Sequence, residues 1–169
     1  MSQLAPLVAF VLLSGTACVA APTGPAQAAQ GMDRLSAYDT IDACLYRHTT
    51  ADARGACVGE YSRACQNLTP DGDTTAGMVR CAGEEYEAWD VWLNDAYREV
   101  RVGLSEASTL ALREAQRSWI AGRDQDCEFL ASLYGDGTMG RTERAQCLMD
   151  ETAKRAIQLM DWDENWPPF

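Results

Sequence analysis

Residues 75–102 read TAGMVRCAGEEYEAWDVWLNDAYREVRV. In and just past this stretch Tyr86, Trp89, Leu93, Ala96, Tyr97, Val100 and Leu104 recur at spacings of three and four, the pattern of an α-helix with one apolar face. Gly103 marks its end. Ser105 then offers an N-cap, and Glu106 puts an anion in the following first turn, where the helix dipole favours it. Toward the C-terminus, Leu112, Ala115, Trp119, Ile120, Cys127, Leu130 and Tyr134 form a second stripe. A third, over about residues 142–160, carries Ala145, Leu148, Thr152, Ala156 and Leu159. On the N-terminal side a short helix over residues 36–46 and another over 51–66, started by Thr49 with Asp52, complete the set. No convincing alternating strand pattern occurs. The expected fold is all-α, a small bundle of antiparallel helical hairpins.

The first 32 residues are a different polymer, because none of the 25 acidic and 14 basic residues precedes Asp33. Leu4 to Leu13 form an apolar run of signal-peptide length, too short for the roughly 20 residues that span a bilayer. Ala26-Gln27-Ala28 supplies a cleavage site, and Pro22 and Pro25 break any helix ahead of it. Residues 1–28 are therefore read as a signal peptide. A second reading takes Gly15-Thr16-Ala17-Cys18 as a lipobox, with Cys18 lipidated as a membrane anchor. Either reading places the mature chain in the periplasm or the medium, with no transmembrane helix retained.

Cleavage after Ala28 removes Cys18 and leaves six cysteines, enough for three disulfides in an oxidising compartment. No C-x-x-C pair occurs, which disfavours a zinc ribbon or a redox dithiol. Cys57 and Cys65 lie eight apart in what reads as one helix, about 12 Å between Cα atoms, beyond disulfide reach. Paired in sequence order, Cys44–Cys57, Cys65–Cys81 and Cys127–Cys147 each have their midpoint in a turn: at Thr50/Ala51, at Asp73, and at Gly137. Antiparallel helices joined by a turn set equidistant residues opposite each other, so one rule gives every cysteine a partner. Cys57 with Cys81 also brackets the second turn, and this alternative stays open.

The net charge of −11 excludes a nucleic-acid binder, which needs a basic face, and makes cationic partners the better fit. The single histidine, His48, leaves no material for a His-rich metal site, and any Ser-His or Cys-His nucleophile would depend on it. No metal and no cofactor is expected. Asp71-Gly72-Asp73 resembles the start of a calcium loop, but position six lacks Gly and Ala82 stands where a closing Glu belongs.

Polar residues interrupt the apolar stripes: Asp90, Asn94 and Tyr97 in one helix, Gln116, Arg117, Arg123 and Asp124 in the next, and Thr152 with Arg155 in the last. Charged groups near a core are paired or cost several kcal/mol each, so these read as a structural interhelical network. The alternative is a catalytic cleft using Glu85, Asp90 or Asp124 as acid and base. Nothing in the spacing sets two carboxylates around a substrate.

The run Leu112-x-x-Ala115-Gln116-Arg117-x-Trp119-Ile120-x-x-Arg123-Asp124-x-x-Cys127, followed by Cys147-x4-Thr152-x-x-Arg155-x3-Leu159, resembles the LprI-like lysozyme-inhibitor family. Upstream, Cys65, Met78, Cys81, Glu85, Asp90, Leu93-Asn94 and Tyr97 fit the same family's pattern. The resemblance implies a small exported or lipid-anchored helical domain, some of whose relatives bind and inhibit lysozyme. It divides the mature chain into an N-terminal helical extension over 29–64, the LprI-like domain over 65–160, and an acidic aromatic tail over 161–169.

Two surface features are candidates for binding. One is the Gly-rich loop with Tyr134, Asp136, Thr138, Met139 and Arg141, closed at its base by the Cys127–Cys147 pair; its plainer reading is a helix connection. The other is the tail, where Trp162, Asp163, Glu164 and Trp166 either offer aromatic anchors or fold back on the bundle. The function expected is that of an exported binding protein, not an enzyme, inhibiting a basic C-type lysozyme by surface occlusion. The alternative is a cell-envelope structural or adaptor domain without a specific cationic target.

Overall fold

A computed structural model describes residues 36–165 apart from Asp136. Residues 1–28, read above as a signal peptide, with Cys18, Asp136 and Trp166, lie outside the described residues. Six α-helices follow in order: α1 Ala37–Arg47, α2 Ala51–Arg54, α3 Glu60–Leu68, α4 Thr75–Val102, α5 Glu106–Ser132 and α6 Met139–Asn165, with a 3-10 turn at Gly55–Cys57. Local chemistry sets most starts. Ser36, Thr50, Thr74 and Ser105 each accept a backbone N–H three residues on, satisfying a donor that the first turn leaves free.

The long helices α4 and α6 pack along each other as the axis of the bundle, and α5 packs on α6. α1 and α3 close the far side of α4. Ile41, Trp89, Met149 and Leu159 are fully buried where these helices meet. Burying each aliphatic side chain there contributes about 1.5–3 kcal/mol. Disulfides Cys44–Cys57, Cys65–Cys81 and Cys127–Cys147 tie α1 to the 3-10 turn, α3 to α4, and α5 to α6. The molecule is thus a disulfide-bonded bundle of helical hairpins.

The helix read from sequence over 51–66 is broken in the structure, and its cap is Thr50 rather than Thr49. Val58 is extended and Gly59 takes a left-handed φ of 78°, a conformation that a side chain would strain. Cys57 and Cys65 therefore do not share a helix, so the continuity that seemed to separate them is absent; each bonds elsewhere. Between α3 and α4 the chain turns so tightly that a Cβ on Gly77 would fall 2.0 Å from the Asp71 carbonyl oxygen.

The N-terminal extension is not peripheral to this core, since Ile41, Cys44 and Leu45 belong to it. At the other end α6 runs on through residues 161–165 instead of giving way to a separate tail.

Candidate functional site

The first group to account for is Glu85, whose side chain is completely buried on the stripe shared with Cys81 and Trp89, one turn to either side. It receives N–H bonds from Gly59 at 2.7 Å, Ser62 at 2.7 Å and Trp89 Nε1 at 3.0 Å. A carboxylate on α4 thus caps the N-terminus of α3, and that tertiary contact positions the break at Gly59. Burial pushes the Glu85 carboxyl above its ordinary range, and the three donors pull it back only in part. With no solvent access and both oxygens engaged, Glu85 holds structure and is unsuited to proton transfer with a substrate.

The polar residues on α5 and α6 meet in a second cluster. Arg155, buried, donates from Nε to Gln116 Oε1 at 2.9 Å and from Nη1 to Gln158 at 2.6 Å. Arg123 donates to Asp124 at 2.7 Å and to the buried Thr152 hydroxyl at 3.1 Å. The two guanidinium groups also lie over aromatic rings. Arg123 sits 5.0 Å from Trp119 and 5.8 Å from Tyr86, and Arg155 sits 5.7 Å from Trp119 and 5.0 Å from Trp162. Cation–ring contacts of this kind contribute about 0.5–1 kcal/mol each where exposed and more when desolvated. Burial lowers the Arg155 pKa from its ordinary value.

The interhelical network read from sequence is smaller than expected. Asp90 and Asn94 bond to each other within α4, at 2.9 Å between side chains, one helical turn apart. Arg117 points outward, a 100° step round α5 from Gln116, and pairs with Glu114 at 3.2 Å in solvent. Tyr97 carries Arg101 over its ring at 5.5 Å and has no bond to the cluster among the described residues. Asp124 is held by Arg123 and Asp90 by Asn94, so the three candidate acids each serve a separate partner.

What the sequence reading missed is the space these residues surround. α4 and α5 are consecutive yet make few close approaches, because both lean on α6. They leave a groove of about 260 Å³. Its α4 wall carries Asp90, Leu93 and Tyr97; its α5 wall carries Arg113, Gln116, Arg117 and Ile120; Arg123 closes one end. Gln116 is 8% exposed, and its Nε2 has no hydrogen-bond partner among the described residues.

The loop and tail candidates lie elsewhere. Tyr134 and Thr138 belong to the connection from α5 to α6, and Met139, exposed, and Arg141 to the first turn of α6; Tyr134 donates to Glu143 at 3.3 Å. Trp162 packs on the core beneath Arg155. Glu164 accepts two bonds from the buried Arg54, at 2.6 and 3.0 Å, joining the end of α6 to α2. Beside that pair is a cleft of about 220 Å³ where Asp95, Glu99, Asp163 and Glu164 rim an apolar floor of Leu45, Trp92 and Met160. Among the described residues one set of ligating atoms comes together, Cys44, His48 and Cys57 within 4.8 Å. Both cysteines are spent in a disulfide, which leaves no thiolate for a metal.

A family model described as lysozyme inhibitor LprI matches residues 65–159. The chain belongs to this family. The matched stretch begins in α3 and ends in α6, so it contains the groove and two of the three disulfides, whereas α1, α2 and Cys44–Cys57 precede it. Relatives of the LprI domain include an uncharacterized protein of Rhizobium meliloti, 33% identical over half of this chain and 70% of its own length. The uncharacterized Escherichia coli protein YecT is 28% identical over 56% of this chain and 68% of its own. No solved structure matches.

Proposed function

We propose that the protein is an exported inhibitor of C-type lysozyme that covers the enzyme's cleft with an acidic surface and performs no chemistry itself. Membership of the LprI family carries this reading. Charge supports it: a chain of net charge −11 attracts a basic enzyme at long range and raises the on-rate at low salt. The acidic cleft between α4 and the end of α6 is the contact we favour, because Glu99 and Asp163 have no cationic partner among the described residues. Its apolar floor suits the stem of a lysine or arginine.

Export is supported by three disulfides, which persist in oxidising compartments. Among the described residues no helix is long and apolar enough to cross a membrane. Mass spectrometry of the mature chain distinguishes cleavage after Ala28 from lipidation at Cys18.

The test is inhibition of cell-wall lysis by purified C-type lysozyme, with binding measured in parallel. Saturable inhibition that persists at about 0.15 M salt and weakens in a Glu99→Lys, Asp163→Lys double variant is the expected result. No binding at low salt defeats the reading and leaves an envelope structural or adaptor role. Binding that vanishes by 0.15 M salt reduces it to nonspecific attraction.

A further inference from the structure

Cys44, His48 and Cys57 come together ahead of residues 65–159, outside the stretch that the family model matches. His48 is the chain's single histidine and stands at the C-terminal cap of α1, four residues after Cys44. Its backbone is bonded on both sides: the N–H donates to the Leu45 carbonyl at 3.2 Å, and the carbonyl accepts from Arg54 Nε at 3.3 Å. Its ring nitrogens have no hydrogen-bond partner among the described residues, so either is free to ligate.

The three ligand atoms lie within 4.8 Å of one another, and the disulfide is not all that holds them there. Arg54, itself fixed by Glu164, holds the His48 carbonyl, and Glu85 holds the Gly59 N–H two residues beyond Cys57. The Cα atoms of Cys44 and Cys57 are 5.7 Å apart. Opened to thiols, the sulfurs can part by side-chain rotation to roughly 3.8 Å, the spacing of two sulfurs each about 2.3 Å from one tetrahedral ion. One imidazole and two thiolates suit zinc, whereas calcium and magnesium take oxygen ligands. Two thiolates also cancel the charge of Zn²⁺, so no net charge is buried where Cys44 and Cys57 are 1% and 0% exposed. The partly exposed His48 gives the ion a path in and leaves the fourth position to water.

We propose that Cys44 and Cys57 in their dithiol form bind zinc with His48 as third ligand, and that oxidation to the disulfide releases the ion. Two glutathione thiols reduce the bond, giving two cysteine thiols and glutathione disulfide; zinc then displaces both thiol protons. The test sets the mature chain in glutathione redox buffers with free zinc fixed by a chelator, and counts thiols at each cysteine by alkylation and peptide mapping. Once free zinc exceeds the dissociation constant, each tenfold increase lowers about tenfold the [GSH]²/[GSSG] ratio that half-reduces Cys44–Cys57. Cys65–Cys81 and Cys127–Cys147 keep their ratios, and magnesium moves none of the three. His48→Gln, at a partly exposed position without a side-chain bond, leaves the fold intact and cuts the zinc shift at least about tenfold. A ratio unmoved at about 10 μM free zinc overturns the proposal, since complete zinc sites bind far more tightly. So does an equal shift of all three disulfides, which marks indiscriminate thiolate binding, or a full shift in His48→Gln. Lysozyme binding by the oxidised chain is independent of every one of these outcomes.

Discussion

Arg155 reaches across the α5–α6 contact to Gln116, 2.9 Å from Nε to Oε1, and by doing so fixes which way round the Gln116 amide sits. Arg155→Met keeps the apolar stem but leaves a buried carbonyl oxygen without its donor. The expected loss is about 1–3 kcal/mol in urea unfolding, with the Gln116 amide free to rotate. A variant as stable as the parent would show that the bond does not hold Gln116.

Glu85→Gln replaces a buried carboxyl, both of whose oxygens can accept even when one carries the proton, with an amide whose NH₂ cannot accept and is set against backbone or indole donors. The loss expected is about 1–3 kcal/mol. The pH dependence has a definite sign. A carboxyl whose folded pKa is raised favours the folded state fully below its unfolded pKa, about 4.5, and loses that contribution as pH rises through the folded value. The gap between parent and variant is therefore at its widest below about pH 4.5 and narrows as pH rises toward neutrality. A gap that widens with pH would contradict burial as the dominant influence on Glu85.

Tyr61 donates to Glu84 at 2.5 Å, and burial with this bond pushes its phenol up to about 12. Spectrophotometric titration should show one tyrosine that ionises late and disappears in Tyr61→Phe. Its contribution to stability is intact below about pH 10 and is lost as pH rises through about 12. An unchanged late phase in the variant would assign it to another tyrosine.

Removing Cys127–Cys147 by a double serine substitution opens a loop closed across a separation of 20 residues. Chain entropy gives a cost of about 3 kcal/mol for a loop of that length. Thermal unfolding of the parent and the double variant measures it, and a cost near zero would mean that α5 and α6 are held by packing alone.

The three long helices were readable because stripes and caps agree: Ser105 and Glu106 announce α5 before its apolar positions begin. The break at Gly59 was not, since its cause is a carboxylate 26 residues further on. Glu85 did leave a trace, standing between Cys81 and Trp89 on a buried stripe where a charge needs partners. The groove left none. Asp90, Gln116 and Arg117 were picked out as polar intruders, but whether such residues join helices or line a gap depends on how far α4 and α5 diverge, and periodicity carries no distance.

Arg54 stands before the stretch that the family model covers and Glu164 after it, yet the two side chains grip each other. What look like separate appendages on a shared domain form a single clasp closed over one end of the bundle. The unit of inheritance is thus shorter than the unit of folding. A fragment trimmed to residues 65–159 gives up Ile41, Leu45 and this clasp together, and it should lose cooperative unfolding even with both of its own disulfides intact.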